Sequence, residues 1–347
     1  MRKENRVAHG SVKEDEGRID WLDVAKGLSI LLVVFHHAAL TGASIGHGWA
    51  VFSTLDALAK PVRMPLFFAI AGLFAAGALS RSWGRLLTGR VANLVWLYSL
   101  WTVIYWLFFR YFDPTDGLKP LGLSKWQLIY MWIIPPSGQW FLWLMAIYLV
   151  LAKAIARFRS PVHLSAIFLL CVLSAGPVAE LPHYPWRNGL LYAPFFIGGA
   201  WYGRALAERA PRHAATLIVG GTAGFAALLV LTRHPGAQIG LSMAGLMAAV
   251  GVALLLSRIS WLKVPLIFFG RRTLSIYLGH GLVIAALSMP LSVLPLGDHA
   301  FLWVTPFLML FSLFGSLVLH DRAGSLGRMW LYSDEGMRQS LPKRFSI

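Results

Sequence analysis

At 347 residues, with 57% hydrophobic and only 13% charged composition and a mean hydropathy of +0.63, the chain is not a soluble globular protein. Its net charge of +16 would suit nucleic acid, but no basic face is separable from the loop pattern described below, so a nucleic-acid role is excluded. The lone Cys171 rules out an internal disulfide and reads as packing.

Ten apolar stretches are long enough to cross a ~30 Å hydrocarbon core as helices. They fall at 22–42, 61–79, 91–110, 138–157, 162–180, 189–206, 214–231, 238–257, 264–289 and 300–319, and predict an all-α integral membrane protein of about ten transmembrane helices. Basic residues crowd alternate connections: 21 lie on the side of the two termini and seven on the other. The positive-inside rule then places both termini in the cytoplasm. Residues 1–20 read as a cytoplasmic tail, 21–320 as one membrane domain and 321–347 as a short basic cytoplasmic tail.

The first span carries ionisable groups inside an apolar run, Asp23-Val-Ala-Lys26 through to His36-His37. Such groups are costly in a bilayer and usually face a cavity where they act. Lys26 and His37 are eleven residues apart, which at about 100° per residue returns to within about 20° of the starting direction. One face therefore reads Asp23, Lys26, Ile30, Val33, His37, while His36 points about 100° away. A histidine is the natural general base for a hydroxyl nucleophile. Lys26 suits a phosphate, a pair with Asp23, or a snorkelling position at the interface.

The second span opens with Arg63-Met-Pro-Leu-Phe-Phe-Ala-Ile-Ala-Gly72, which puts Arg63 near the depth of His37. Arg63 fits either a shared pocket or the interface, and Gly72 permits close helix packing. The following loop holds Arg81, Arg85 and Arg90; the three satisfy the topology rule and would equally make a phosphate cradle. The longest outer connection, roughly 111–137, includes Asp113-Pro-Thr-Asp-Gly. The tryptophans in and just after it, Trp126, Trp132, Trp140 and Trp143, suit either an interfacial belt or a lid over a sugar ring. In the ninth span, His280 lies eight residues beyond Arg272, about 12 Å deeper, and so reaches the level of His37. No metal-ligand spacing, P-loop or nucleophile elbow is present.

Together these segments resemble the membrane acyltransferase-3 family, integral-membrane enzymes that O-acylate sugars, lipids and glycans. The family's first-helix mark is Arg or Lys, ten residues, then His, with Asp three before the basic residue. Asp23, Lys26 and His37 fit it at every spacing. Arg63-Met-Pro-Leu-Phe-Phe-Ala-Ile-Ala-Gly72 is similar to the family's MPLFF-x-x-SG stretch, with Ala71 where serine is common. Gln139-Trp140-Phe-Leu-Trp143 resembles its W-F-L motif. Gly270-Arg-Arg-Thr-Leu-Ser-Ile-Tyr277-Leu-Gly-His280 resembles its late G-x-x-[ST]-L-x-I-Y-L-x-H motif. The lysine form of the first motif looks most like the fucose 4-O-acetylase-related branch, although members of that branch often carry His where this chain has Arg63.

The resemblance implies a multi-pass bacterial inner-membrane O-acetyltransferase with acetyl-CoA as donor and no metal. It implies CoA phosphates on Lys26, Arg85 and Arg90, with Asp23 orienting Lys26. His37 would act as general base or transient acyl carrier, and Arg63, Tyr277 or His280 as donor to the developing oxyanion. The acceptor would be a glycan or glycolipid such as O-antigen, exopolysaccharide or lipo-oligosaccharide. The tail beyond the tenth span is too short for the SGNH esterase-like domain of some relatives, so transfer is expected to finish within the membrane domain. Succinyl transfer and a polytopic sugar or lipid transporter are the alternatives.

Overall fold

The computed structural model describes residues 19–112, 125–136, 138–158, 160–176, 183–231 and 235–333. The charged tail before residue 19, the Asp113-Pro-Thr-Asp-Gly stretch and the end of the basic tail lie outside the described residues. Everything regular among them is helix, as expected for a backbone that must satisfy its own hydrogen bonds in lipid.

The long helices are α1 Asp20–Ser44, α2 Ala50–Leu79 and α3 Ala92–Tyr111. A π-helical turn, Leu86–Val91, leads into α3. Then follow α4 Trp140–Ile155, α5 Ser160–Ala175, α6 Tyr184–Arg209, α7 Ala214–Leu229 and α8 Pro235–Leu256. The last three are α9 Ser260–Gly270, α10 Thr273–Val293 and α11 Ala300–Ser325.

Each expected span contains helix, but only seven helical stretches among the described residues are long and apolar enough to cross a membrane. Two causes account for the difference from ten. With 16 residues each, α4 and α5 are about 24 Å long, short of a ~30 Å core. The sixth and seventh spans run as one helical stretch, Tyr184–Leu229, through a 3₁₀ turn. The ninth expected span is broken at Arg271-Arg272 into α9 and α10. Conversely, α2 begins eleven residues before its expected start at 61 and carries Pro61 and Pro65 inside it.

Two glycine contacts fix the helices that bear the site. A Cβ on Gly27 would overlap the Leu266 carbonyl, and one on Gly270 would overlap the Asp23 carbonyl, so α1 and α9 touch backbone to backbone. The same holds for Gly72 against Phe196 and Gly199 against Ala69, which lock α2 to α6. Small residues allow such approach where lipid supplies no hydrophobic drive between helices. At its far end the chain folds back after α11. The indole N–H groups of Trp96 and Trp101 donate to the Trp330 and Leu331 carbonyls, at 2.9 and 2.7 Å.

Candidate active site

The polar groups of α1 gather at two levels. At its start, the buried Asp23 carboxylate accepts Lys26 Nζ at 2.7 Å and Arg271 Nε at 3.4 Å. The Lys26 ammonium also lies 4.1 Å from the centre of the Phe74 ring, a cation–π position. Lys26 thus both pairs with Asp23 and opens onto a cavity of about 260 Å³. Lys26, Arg90, Asn93 and Thr273 line it where α1, α3 and α10 begin, and Phe67, Phe141 and Tyr277 line it deeper in the bundle. Arg90 sits on the π-helical turn, an irregularity often found where a helix serves a site. Arg85 is exposed and is not among the lining residues.

Two turns beyond Ile30, the histidines meet. The His37 ring centre is 5.1 Å from that of His280 and 4.9 Å from that of His36. His280 is buried, and its Nδ1 faces the Ile276 and Tyr277 carbonyls at 3.0 and 2.8 Å. Carbonyls only accept, so Nδ1 carries a proton. The Nδ1 of His37 is buried with no hydrogen-bond partner among the described residues. Buried polar atoms are seldom left so, and an orphan of this kind needs a reason.

Tyr277 joins the two levels. Its ring lies 6.1 Å from His280 and 5.5 Å from Phe141, and its hydroxyl donates to the Gly138 carbonyl at 2.6 Å. That bond spends its only proton on the segment preceding α4. Nearby, the Tyr105 hydroxyl donates to the Leu278 carbonyl at 3.2 Å and bonds Gln139. A side chain on Gly281 would collide with that hydroxyl.

Arg63 is reached through a residue the sequence reading passed over. Asp56 Oδ1 accepts Arg63 NH1 at 2.7 Å, and the same carboxylate meets His36 Nδ1 at 2.9 and 3.0 Å. His36 is therefore held by a hydrogen bond to Asp56 beside His37. The signal was legible: Asp56 and Arg63 are seven residues apart, about 20° from alignment on a helix. It was missed because α2 was expected to begin only at 61. Arg271 was missed for another reason, being 248 residues from Asp23. Of the four tryptophans read as belt or lid, Trp126 and Trp132 are exposed. Trp140 stacks on Tyr192 and Trp143 is buried, its indole donating to the Trp132 carbonyl.

Residues 19–321 match the family described as an acyltransferase domain. The chain is also similar to the inner membrane protein YcfT of Escherichia coli (strain K12), 24% identical over 208 residues. That alignment covers 54% of this chain and 57% of YcfT, so the chain spans little more than half of that relative's length. No solved structure matches.

Proposed function

The chain belongs to the acyltransferase family that matches residues 19–321, and on that premise we propose that it transfers acetyl from acetyl-CoA to a hydroxyl of a cell-surface or exported glycan. The carrying observation is the cavity that joins Lys26 and Arg90 to Tyr277, beside the paired rings of His280 and His37. Two cations at its mouth suit phosphate oxygens, and its phenylalanine walls suit an extended acyl-carrying arm. The name of the relative supports an inner-membrane location, and the loop charges support cytoplasmic termini.

His37 takes the proton of the acceptor hydroxyl, whose oxygen forms the bond to the thioester carbonyl carbon. The C–S bond then breaks, and the departing thiolate receives the proton to leave as free CoA. Arg63, held by Asp56, supplies positive charge to the oxyanion that develops on the carbonyl oxygen. Such stabilisation is often worth about 3–4 kcal/mol. His280, fixed by its Nδ1 bonds, seats the His37 ring. Tyr277, its proton committed to Gly138, positions the wall between cavity and histidines. Asp23 aims Lys26 at the cavity mouth.

The test is mass spectrometry of surface glycans from cells with wild-type protein, with His37→Ala at equal membrane level, and without the protein. Acetyl must appear only with the wild type; succinyl in its place would correct the donor. CoA must raise the unfolding temperature of the purified protein. A sugar or lipid transporter would show neither effect, and that result would sink the reading.

A further inference from the structure

At the end of the bundle opposite Lys26 lies a second cavity system that the reaction above does not use. Two spaces of about 380 and 220 Å³ share Lys60, Leu191 and Gln238 and so form one groove. It lies where α6 and α8 begin, against residues 57–61 of α2. These three helices run parallel: Ala69 meets Gly199, Leu73 meets Gly203, and Val62 meets Gly245.

The groove is two-ended. One end holds two cations, Lys60 and Arg187, with Gln238 beside them and no carboxylate lining it among the described residues. The other is walled by Leu58, Leu229 and Leu241, with the Tyr192 ring at its side. Two polar side chains in its lining are buried and unpaired among the described residues. Asn188, 6% exposed, leaves its amide Nδ2 without an acceptor, and Ser242, 1% exposed, leaves its hydroxyl without a partner. Unpaired buried donors are destabilising and rarely kept without use. Asn188 lines the end that carries Lys60 and Arg187, so the group that completes it accepts a hydrogen bond and carries negative charge, while Ser242 lines the apolar end.

We propose that this groove binds the phosphate of an amphiphile, with the phosphate on Lys60, Arg187 and Asn188 and the apolar chain along Leu58, Leu229 and Leu241. The class includes a bilayer phospholipid and a lipid-linked, phosphate-bearing glycan. The second deepens the acyltransferase reading and rests on it, because Lys60 stands one helical turn from Asp56 and Arg63 on α2. An acceptor anchored there by its phosphate presents its sugar toward the histidines from the side away from Lys26.

The experiment uses the full-length protein in nanodiscs of phosphatidylcholine, with farnesyl monophosphate as probe and farnesol as its uncharged control. Farnesyl monophosphate is expected to bind about tenfold or more tightly than farnesol. Lys60→Gln combined with Arg187→Gln should erase that difference. Both side chains are exposed, so the variant should fold, and stabilisation by CoA checks it. Asn188→Leu, which keeps both cations, should weaken the phosphate probe several-fold and leave farnesol unchanged. Adding phosphatidylglycerol to the nanodiscs separates the sources. Displacement of the probe assigns the groove to a bilayer lipid, and persistence assigns it to a phosphate-bearing acceptor; each supports phosphate binding. Equal affinity for the two probes, or affinity unchanged by the double substitution, overturns it. CoA stabilisation of the wild type, read in the same samples, would then still carry the acyltransferase reading. Its absence would fail that reading and leave the groove's result standing.

Discussion

Asp56 gives the sharpest test of the site, because it was found by geometry and not by the motif. Its carboxylate is 22% exposed and holds Arg63, whose side chain is 6% exposed, together with His36. Removing one partner of a fully buried ion pair costs about 3–5 kcal/mol, and a single charge-assisted hydrogen bond is worth about 1.5–3 kcal/mol. The partial exposure of Asp56 places Asp56→Ala at about 2–3 kcal/mol, a factor of roughly 30 to 160 if it all falls on the active arrangement. Asp56→Asn keeps one acceptor for Arg63 and should lose about half as much. Stability would be followed by unfolding of the purified protein, and activity by acetyl transfer in membranes with equal protein. Activity should fall with stability while CoA still protects the protein, because Asp56 is remote from the Lys26 mouth. A double-mutant cycle with Arg63→Gln should show a coupling of about 1 kcal/mol or more. Additive effects, or a wild-type unfolding midpoint and rate for Asp56→Ala, would refute the chain Arg63–Asp56–His36–His37.

Other substitutions separate the two levels of the site. His37→Ala should lower transfer by about 10²–10⁴-fold, the range of a lost general base, without altering stabilisation by CoA. His36→Ala should lower it less, through the loss of its bond to Asp56, and wild-type activity would show that this pair is idle. Lys26→Met and Arg90→Gln should each raise the KM for acetyl-CoA, whereas Arg85→Gln should leave it near wild type because Arg85 stands outside the cavity; equal effects at all three would argue for a diffuse basic surface. Gly270→Ala should force α9 from α1 and cost about 1–3 kcal/mol by overpacking, read as a lower unfolding midpoint; an unchanged midpoint would show that the contact yields freely.

How much of this was written in the sequence depends on the range of each contact. The Asp23–Lys26–His37 face follows from helical arithmetic within one span, and it is the face that meets the cavity and His280. The common depth of His37 and His280 was also legible, since each could be counted from its own inner helix end. Hidden from that arithmetic were pairings set by helix order in space: Arg271 on Asp23, Tyr277 on Gly138, Gln139 on Tyr105. Asp56 was hidden differently. The apolar run begins at 61, yet α2 runs through both prolines from Ala50. Proline removes one donor and crowds the carbonyl four residues back, and within membrane helices local adjustment absorbs that loss. The number of long apolar helices differs from ten for another reason: hydropathy finds apolar runs, whereas among the described residues α4 and α5 are shorter than a full crossing and the sixth and seventh spans share one helical stretch.

The two carboxylates explain why the histidine pair sits where it does. Asp23 is held by Lys26 and Arg271, and Asp56 by Arg63 and His36, so each acid faces two basic groups. The first pins the start of α1 to the α9–α10 break, and the second pins its far end to α2. Between the pins, His280 has its Nδ1 committed to carbonyls and His36 has its Nδ1 committed to Asp56. Of the three rings, His37 is the one whose Nδ1 has no partner among the described residues. Each neighbouring ring therefore has its Nδ1 fixed by a bond, whereas the Nδ1 of His37 has none among the described residues. On the proposed reading, that asymmetry suits His37 to act as the base, because its neighbours are fixed by bonds that orient it.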